Sequence, residues 1–242
     1  MSSTLSLLTF VTKYCNICDR MKPKKSISIK DKVTDKVEKL LPGSILFAQD
    51  FFDEGSNAAV RQQLARLVRT GLLRRLSQGV YVLPKNLSGH GYLLPSAEDV
   101  AYALARRDKA RIIPTGEVAL WKLGLSEQVP LNFVYLTDGP SRIVKVEESE
   151  GKRSYTITFK RASSKNFALR GKVSGSVIQA LKSLGESNLT DSILDKIQLL
   201  IMRENLDDLN HDVTLAPAWI SKLILDFFKT YKNEGLDSKE RS

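Results

Sequence analysis

Residues 56–84, SNAAVRQQLARLVRTGLLRRLSQGVYVLP, admit few local folds. Val60, Leu64, Leu67 and Val68 recur at helical spacing and form one apolar stripe. Ser56 is placed to cap the start, since its hydroxyl can take up an orphan backbone N–H. Gly71 follows the last periodic residues, where a left-handed residue ends a helix. Two short strand-like runs come next, 72–76 and 80–83, joined through Ser77, Gln78 and Gly79. That connection suits a tight hairpin, with Gly79 supplying a positive φ. The pattern predicts a helix followed by a two-stranded wing.

The charge of this stretch is one-sided. It holds Arg61, Arg66, Arg69, Arg74 and Arg75 and no Asp or Glu. Cations placed on phosphates release condensed counterions. Arg and Gln also pair with base edges in the major groove. A solvated helix and hairpin is the plain reading; helix, glycine stop and basic hairpin together favour a winged-helix DNA-binding unit. Asn57, Arg61, Gln62 and Arg66 are then expected in or beside the groove. Ser56 would offer its backbone N–H to a phosphate. Arg69, Arg74, Arg75 and Gln78 would grip the flanking backbone or minor groove.

The whole chain agrees with an anionic partner. Its 242 residues carry a formal net charge of +10 and a pI near 9.5, with 42% hydrophobic residues. No apolar run approaches the roughly 20 residues that span a bilayer, so no membrane partner is expected. The two cysteines, Cys15 and Cys18, are too few for a disulfide scaffold. A structural zinc would need two more ligands, and His90 and His211 stand far away and far apart. Free thiols in a reducing cytoplasm fit better.

In chain order, residues 1–28 read as a flexible arm, with Met21 a candidate translation start beside Met1. Residues 29–41 read as a helix stopped by Pro42 and Gly43; 44–46 as a short strand; 47–52 as a brief second helix. The winged helix-turn-helix domain is thus expected over 29–87, and Ser88-Gly89-His90-Gly91 as a hinge. Beyond it, 95–107 reads as a helix capped by Ser96 with Asp99 closing the box, and 115–123 as a helix stopped by Gly124. Trp121 is expected in the core or at a domain joint. The period then changes to two, with strands over 132–137, 142–146 and 155–159 and a polar hairpin tip over 147–153. Helices follow over 177–184 and 191–205, and a last one opened by Pro217, with Ile220, Leu223, Ile224, Phe227, Phe228 and Tyr231 on one stripe. Core packing is the first use of that stripe and partner docking the sharper one. The expected fold class is α+β: a winged helix, then a larger mixed domain over 91–232 with a small antiparallel sheet and C-terminal helices, then a polar tail over 233–242.

The order of elements around LARLVRTGLLRRLSQGVYVLP resembles the N-terminal domain of the AbiEi-type antitoxin family. The likeness continues in PTGEVALWKLGLSEQVPLNFVY and LTDGPSR, where a short helix leads through a Gln-Val-Pro turn into a strand, and covers about 30–159. The resemblance implies an abortive-infection toxin–antitoxin system for phage defence. Such a protein represses its own operon by binding double-stranded operator DNA and counters a cognate toxin without a stable complex. Direct toxin contact and a homodimer stay open. The toxins of these systems resemble nucleotidyltransferases, which hold magnesium with Asp-x-Asp. This chain has no Asp-x-Asp, which places it on the antitoxin side.

Catalytic patterns are sparse. There is no phosphate-cradling glycine loop, no dinucleotide fingerprint and no nucleophile elbow. No catalytic residue, metal or cofactor is therefore expected. One rival is a metal-dependent nuclease built from Glu148, Glu150 and Lys152, with Asp138 as a further carboxylate; a solvated hairpin tip is the plainer account. Another is a basic winged-helix module for RNA or protein. Asp207, Asp208, His211 and Asp212 could hold a metal, but read more simply as a polar loop between two helices.

Overall fold

Val33 and Val37 lie one helical turn apart and are both fully buried. They set the first helix, α1 (Ile29–Glu38), against the rest of the N-terminal region. The Ser28 hydroxyl accepts the Asp31 N–H and caps this helix. The computed structural model describes residues 28–87, 91–149 and 153–237. The arm with Met21, Cys15 and Cys18 lies outside the described residues, as do Ser88-Gly89-His90, residues 150–152 and 238–242.

Strand β1 (Ile45–Phe47), a 3-10 helix (Ala48–Glu54) and α2 (Asn57–Arg69) follow. Phe51, Val60, Leu64, Leu67 and Leu73 close with Val33 and Val37 into one cluster. Each large side chain buried this way contributes about 1.5–3 kcal/mol. Strands β2 (Arg74–Ser77) and β3 (Val80–Val82) form a hairpin over Gly79, whose φ is 72°. β1 joins on the other side of β3, giving an antiparallel sheet in the order β1-β3-β2. Gly71, with φ 80°, turns the chain after α2. The first helix stops at Glu38, three residues before the predicted end, and Leu41 is left exposed.

β4 (Lys85–Leu87) and β5 (Gly91–Leu93) form a second antiparallel pair; of the residues read as a hinge only Gly91 is among the described ones, and it starts β5. α3 (Ala97–Arg107) starts with the predicted capping box of Ser96 and Asp99. β6 (Ile112–Pro114), α4 (Glu117–Lys122), β7 (Asn132–Thr137), β8 (Arg142–Ser149) and β9 (Arg153–Arg161) then build a four-stranded sheet in the order β6-β7-β9-β8. β8 and β9 are antiparallel. β7 and β9, however, are parallel, from Asn132 beside Thr156 to Thr137 beside Arg161, so this sheet is mixed. β8 does not fold back on β7 across the Asp138–Ser141 turn; it lies beyond β9. Central β9 then pairs along both edges while Tyr155, Ile157 and Phe159 bury one face.

Leu76, Val80 and Val82 of the first sheet share one core cluster with Val100, Leu104, Phe133 and Ile157. The C-terminal helices are α5 (Lys172–Leu184), α6 (Asp191–Ile201), α7 (Leu206–Leu215) and α8 (Ala218–Asp237). They close on Val177, Ile178, Leu181, Ile197, Ile201, Leu209, Ile220 and Ile224. Ile220 and Ile224 thus give the last helix a core face, while Leu225 is exposed. α7 corrects the predicted polar loop. Asn205 caps it by accepting from the N–H groups of Asp207 and Asp208, and those two acidic residues suit the positive end of a helix dipole. The fold is mixed α+β with small sheets and a helical C-terminal part. Among the described residues, no helix is long and apolar enough to cross a membrane.

Candidate nucleic-acid interface

α2 divides its residues by face. Val60, Leu64 and Leu67 point into the core, and buried Gln63 donates from Nε2 to the Thr34 hydroxyl at 3.0 Å, locking α2 to α1. Asn57, Arg61, Gln62, Arg66 and Arg69 are exposed. Ser56 is also exposed, and its hydroxyl accepts the Ala59 N–H at 3.3 Å. On the hairpin, Arg75 and Gln78 are exposed and Arg74 is half-buried.

Two grooves collect four of these arginines. One, of about 310 Å³, is lined by Ile29, Lys30, Gln62, Gln63, Arg66 and Arg69. The other, of about 350 Å³, holds Arg69, Arg74 and Arg75 together with Tyr92 and Glu147. Arg69 borders both, so helix and hairpin present one basic surface. Three of the arginines are oriented by neutral partners. The Arg74 guanidinium lies 4.5 Å from the centre of the Tyr92 ring, and that of Arg61 lies 5.9 Å from Phe52. Arg75 Nε donates to the Ser77 carbonyl at 3.3 Å. Among the described residues, none of Arg61, Arg66, Arg69, Arg74 or Arg75 forms an ion pair. Arg66 and Arg69 also suit the last turn of α2, where the helix dipole favours cations; that local benefit does not extend to Arg61, Arg74 or Arg75.

All nine predicted residues lie between the cap of α2 and the hairpin; Gln62, Arg66, Arg69, Arg74 and Arg75 line the two grooves, while Ser56, Asn57, Arg61 and Gln78 lie outside them. Two further residues join them. Lys30 reaches the first groove from the start of α1, and Tyr92 supports Arg74 from β5. Neither carries a local signal, since each arrives by packing of a different element.

A family model matches residues 32–209, and its description is DUF6088, a family of unknown function. The chain belongs to this family. No curated protein matches it significantly. In this DUF6088 chain the match takes in the basic helix and hairpin and the whole four-stranded sheet, and ends inside α7.

The rival sites fare differently. Glu150 and Lys152 lie outside the described residues, as does the side chain of Glu148. Asp138 accepts the Arg111 N–H and its guanidinium, both at 2.7 Å, and these bonds hold its carboxyl below the usual carboxylate range. It thereby pins the start of β6 to the turn after β7. Asp207, Asp208, His211 and Asp212 are parts of α7, and among the described residues no His, Cys, Asp and Glu group is arranged to hold a metal ion. Trp121 is not a core residue: it is 37% exposed and stands edge-on to Phe133.

Proposed function

We propose that this DUF6088 protein is a DNA-binding transcriptional regulator of AbiEi-like antitoxin type. In this reading α1, the 3-10 helix and α2 form a winged helix-turn-helix with the β2–β3 hairpin as its wing. α2 enters the major groove, about 12 Å wide, with Arg61, Gln62 and Arg66 at base edges and Asn57 beside them. Ser56 offers its N–H to a phosphate at the helix start. Arg69, Arg74, Arg75 and Gln78 hold the flanking backbone or the minor groove.

One observation carries the proposal: five arginines on one helix and hairpin, with no ion-pair partner among the described residues. A protein that only needed a soluble surface would gain little from concentrating cations and leaving them unneutralised. The antitoxin role rests on the resemblance stated above. It implies repression of the protein's own operon and protection against a nucleotidyltransferase-like toxin in the cytoplasm.

The test is a titration of duplex DNA from upstream of the gene against a scrambled duplex and a structured RNA of equal length. The proposal requires tightest binding to the upstream duplex. Equal binding to all three would reduce the surface to a general polyanion site, and preference for RNA would replace the reading. Growth of cells carrying a neighbouring nucleotidyltransferase-like gene, with and without this protein, tests the antitoxin part.

A further inference from the structure

A hollow lies away from the arginines, between α3, α4 and the first residues of the central strands β7 and β9. Its volume is about 760 Å³. Phe133 and Tyr155, both buried, form its floor, and their rings meet edge to face at 5.5 Å and 71°. Trp121 continues the series, 6.4 Å from Phe133 at 83°. Val129 and Leu131 form a lip, 62% and 78% exposed. We infer that this hollow is a binding site for an uncharged small molecule carrying an aromatic ring.

Three physical features select that class. The first is shape: ligand sites are typically concave, about 300–1,000 Å³, and mostly apolar. The second is the arrangement of rings. Edge-to-face neighbours leave ring faces and edges turned towards the hollow, and a further ring can dock on them in the geometry that aromatic pairs favour. The third is charge. Glu98 is the carboxylate among the lining residues, and Lys122 Nζ binds it at 2.5 Å. Among the described residues the mouth is therefore neutralised from within the protein, and a charged guest would gain no partner from them. Ser96 adds no free hydroxyl, because it donates to Asp99 at 2.7 Å in the cap of α3. The exposed lip belongs to the Gln128-Val129-Pro130 turn, which the DNA reading leaves without a role. Exposed Val and Leu beside a half-open Trp cost solvation unless something covers them.

The inference is independent of DNA binding and is tested without it. N-phenyl-1-naphthylamine, an uncharged aromatic probe that brightens in apolar surroundings, is titrated into the full-length protein. Saturable binding of one probe per chain, with energy transfer from tryptophan, is the expected result. Leu131→Asp alters an exposed side chain and should leave the melting temperature unchanged while weakening the probe at least tenfold. Trp121→Phe keeps a ring in place and should retain binding while cutting the energy transfer, with Trp219 left as the other donor. Absence of saturable binding would overturn the inference, as would equal affinity in wild type and Leu131→Asp. So would a wild-type dimer that excludes the probe and that Leu131→Asp dissociates, because the lip would then be a contact between two copies.

Discussion

Asp212 is fully buried and accepts the Ser174 hydroxyl at 2.6 Å. The same carboxylate accepts the backbone N–H groups of Arg170 and Gly171 at 2.8 and 2.9 Å, and stands 3.1 Å from His211 Nδ1. Glu204 takes the N–H groups of Val173 and Ser174, at 2.7 and 2.8 Å. The start of α5 thus has the N–H groups of Gly171, Val173 and Ser174 met from α7 and from the turn before it, not by its own N-cap, which is Gly171. A Cβ at Gly171 would come within 2.6 Å of Glu204 Oε2 and would crowd the Ser174 hydroxyl as well.

Asp212→Ala should be strongly destabilising. It leaves the buried Gly171 N–H and Ser174 hydroxyl, and the part-buried Arg170 N–H, without their acceptor, at about 1–3 kcal/mol for each buried group. At roughly 2–4 °C per kcal/mol for a chain of this size, thermal melting should fall by on the order of 10 °C. A change of a degree or less would mean that water or another acceptor replaces the carboxylate.

The same residue predicts a pH dependence. Burial pushes the Asp212 carboxyl up, but hydrogen bonds from Ser174, Arg170, His211 and Gly171 outweigh it and hold the carboxyl below its ordinary value. A carboxyl lowered on folding adds stability above its unfolded pKa, about 3.9, and loses it as pH falls through the folded value. The stability gap between wild type and Asp212→Asn should therefore be constant from pH 7 to about 5 and close below about 4. Melting curves over that range check it; a gap that widens in acid would reverse the sign.

For the basic surface, Arg61→Ala with Arg66→Ala should abolish preference for the upstream duplex in a gel shift. Both side chains are exposed, so melting should stay near wild type. Unchanged affinity at several salt concentrations would remove α2 from the interface.

Arg75→Ala should act differently. A cation on the DNA backbone weakens all sequences alike, and its loss should flatten the slope of log K against log salt by about one. Loss of selectivity with the slope intact would put Arg75 at a base instead.

Tyr135→Phe should be neutral or stabilising. The Tyr135 hydroxyl is buried with no hydrogen-bond partner among the described residues, and burial pushes its pKa well up. Phenylalanine keeps the ring contacts with Tyr102 at 6.5 Å and Phe159 at 6.2 Å while removing a buried donor that costs about 1–3 kcal/mol unpaired. A drop of several degrees in melting would reveal a partner for that oxygen.

Local chemistry made much of this legible from residues alone. Ser56, Gly71 and Gly79 mark the ends of α2 and the hairpin because caps and positive φ are set by residue type. The alternation of Tyr155, Ile157 and Phe159 marked a half-buried strand for the same kind of reason. Pairing partners were not legible. Nothing in Asn132 to Thr137 says that it runs parallel to β9, because period two records which face is buried, not which neighbour lies alongside. α7 was missed because its polar first turn, Asp207 and Asp208, looks like a loop until Asn205 is recognised as its cap. At the basic surface the arginines were visible as a cluster, but Lys30 and Tyr92 join it only through packing between elements.

Leu76, Val80 and Val82 touch the same apolar cluster as Val100 and Phe133, and this limits how the molecule can be divided. A gene fragment ending near residue 87 would keep every arginine of the helix and hairpin yet strip the hairpin's inner side bare. Such a fragment is headed for inclusion bodies, however complete its set of cations.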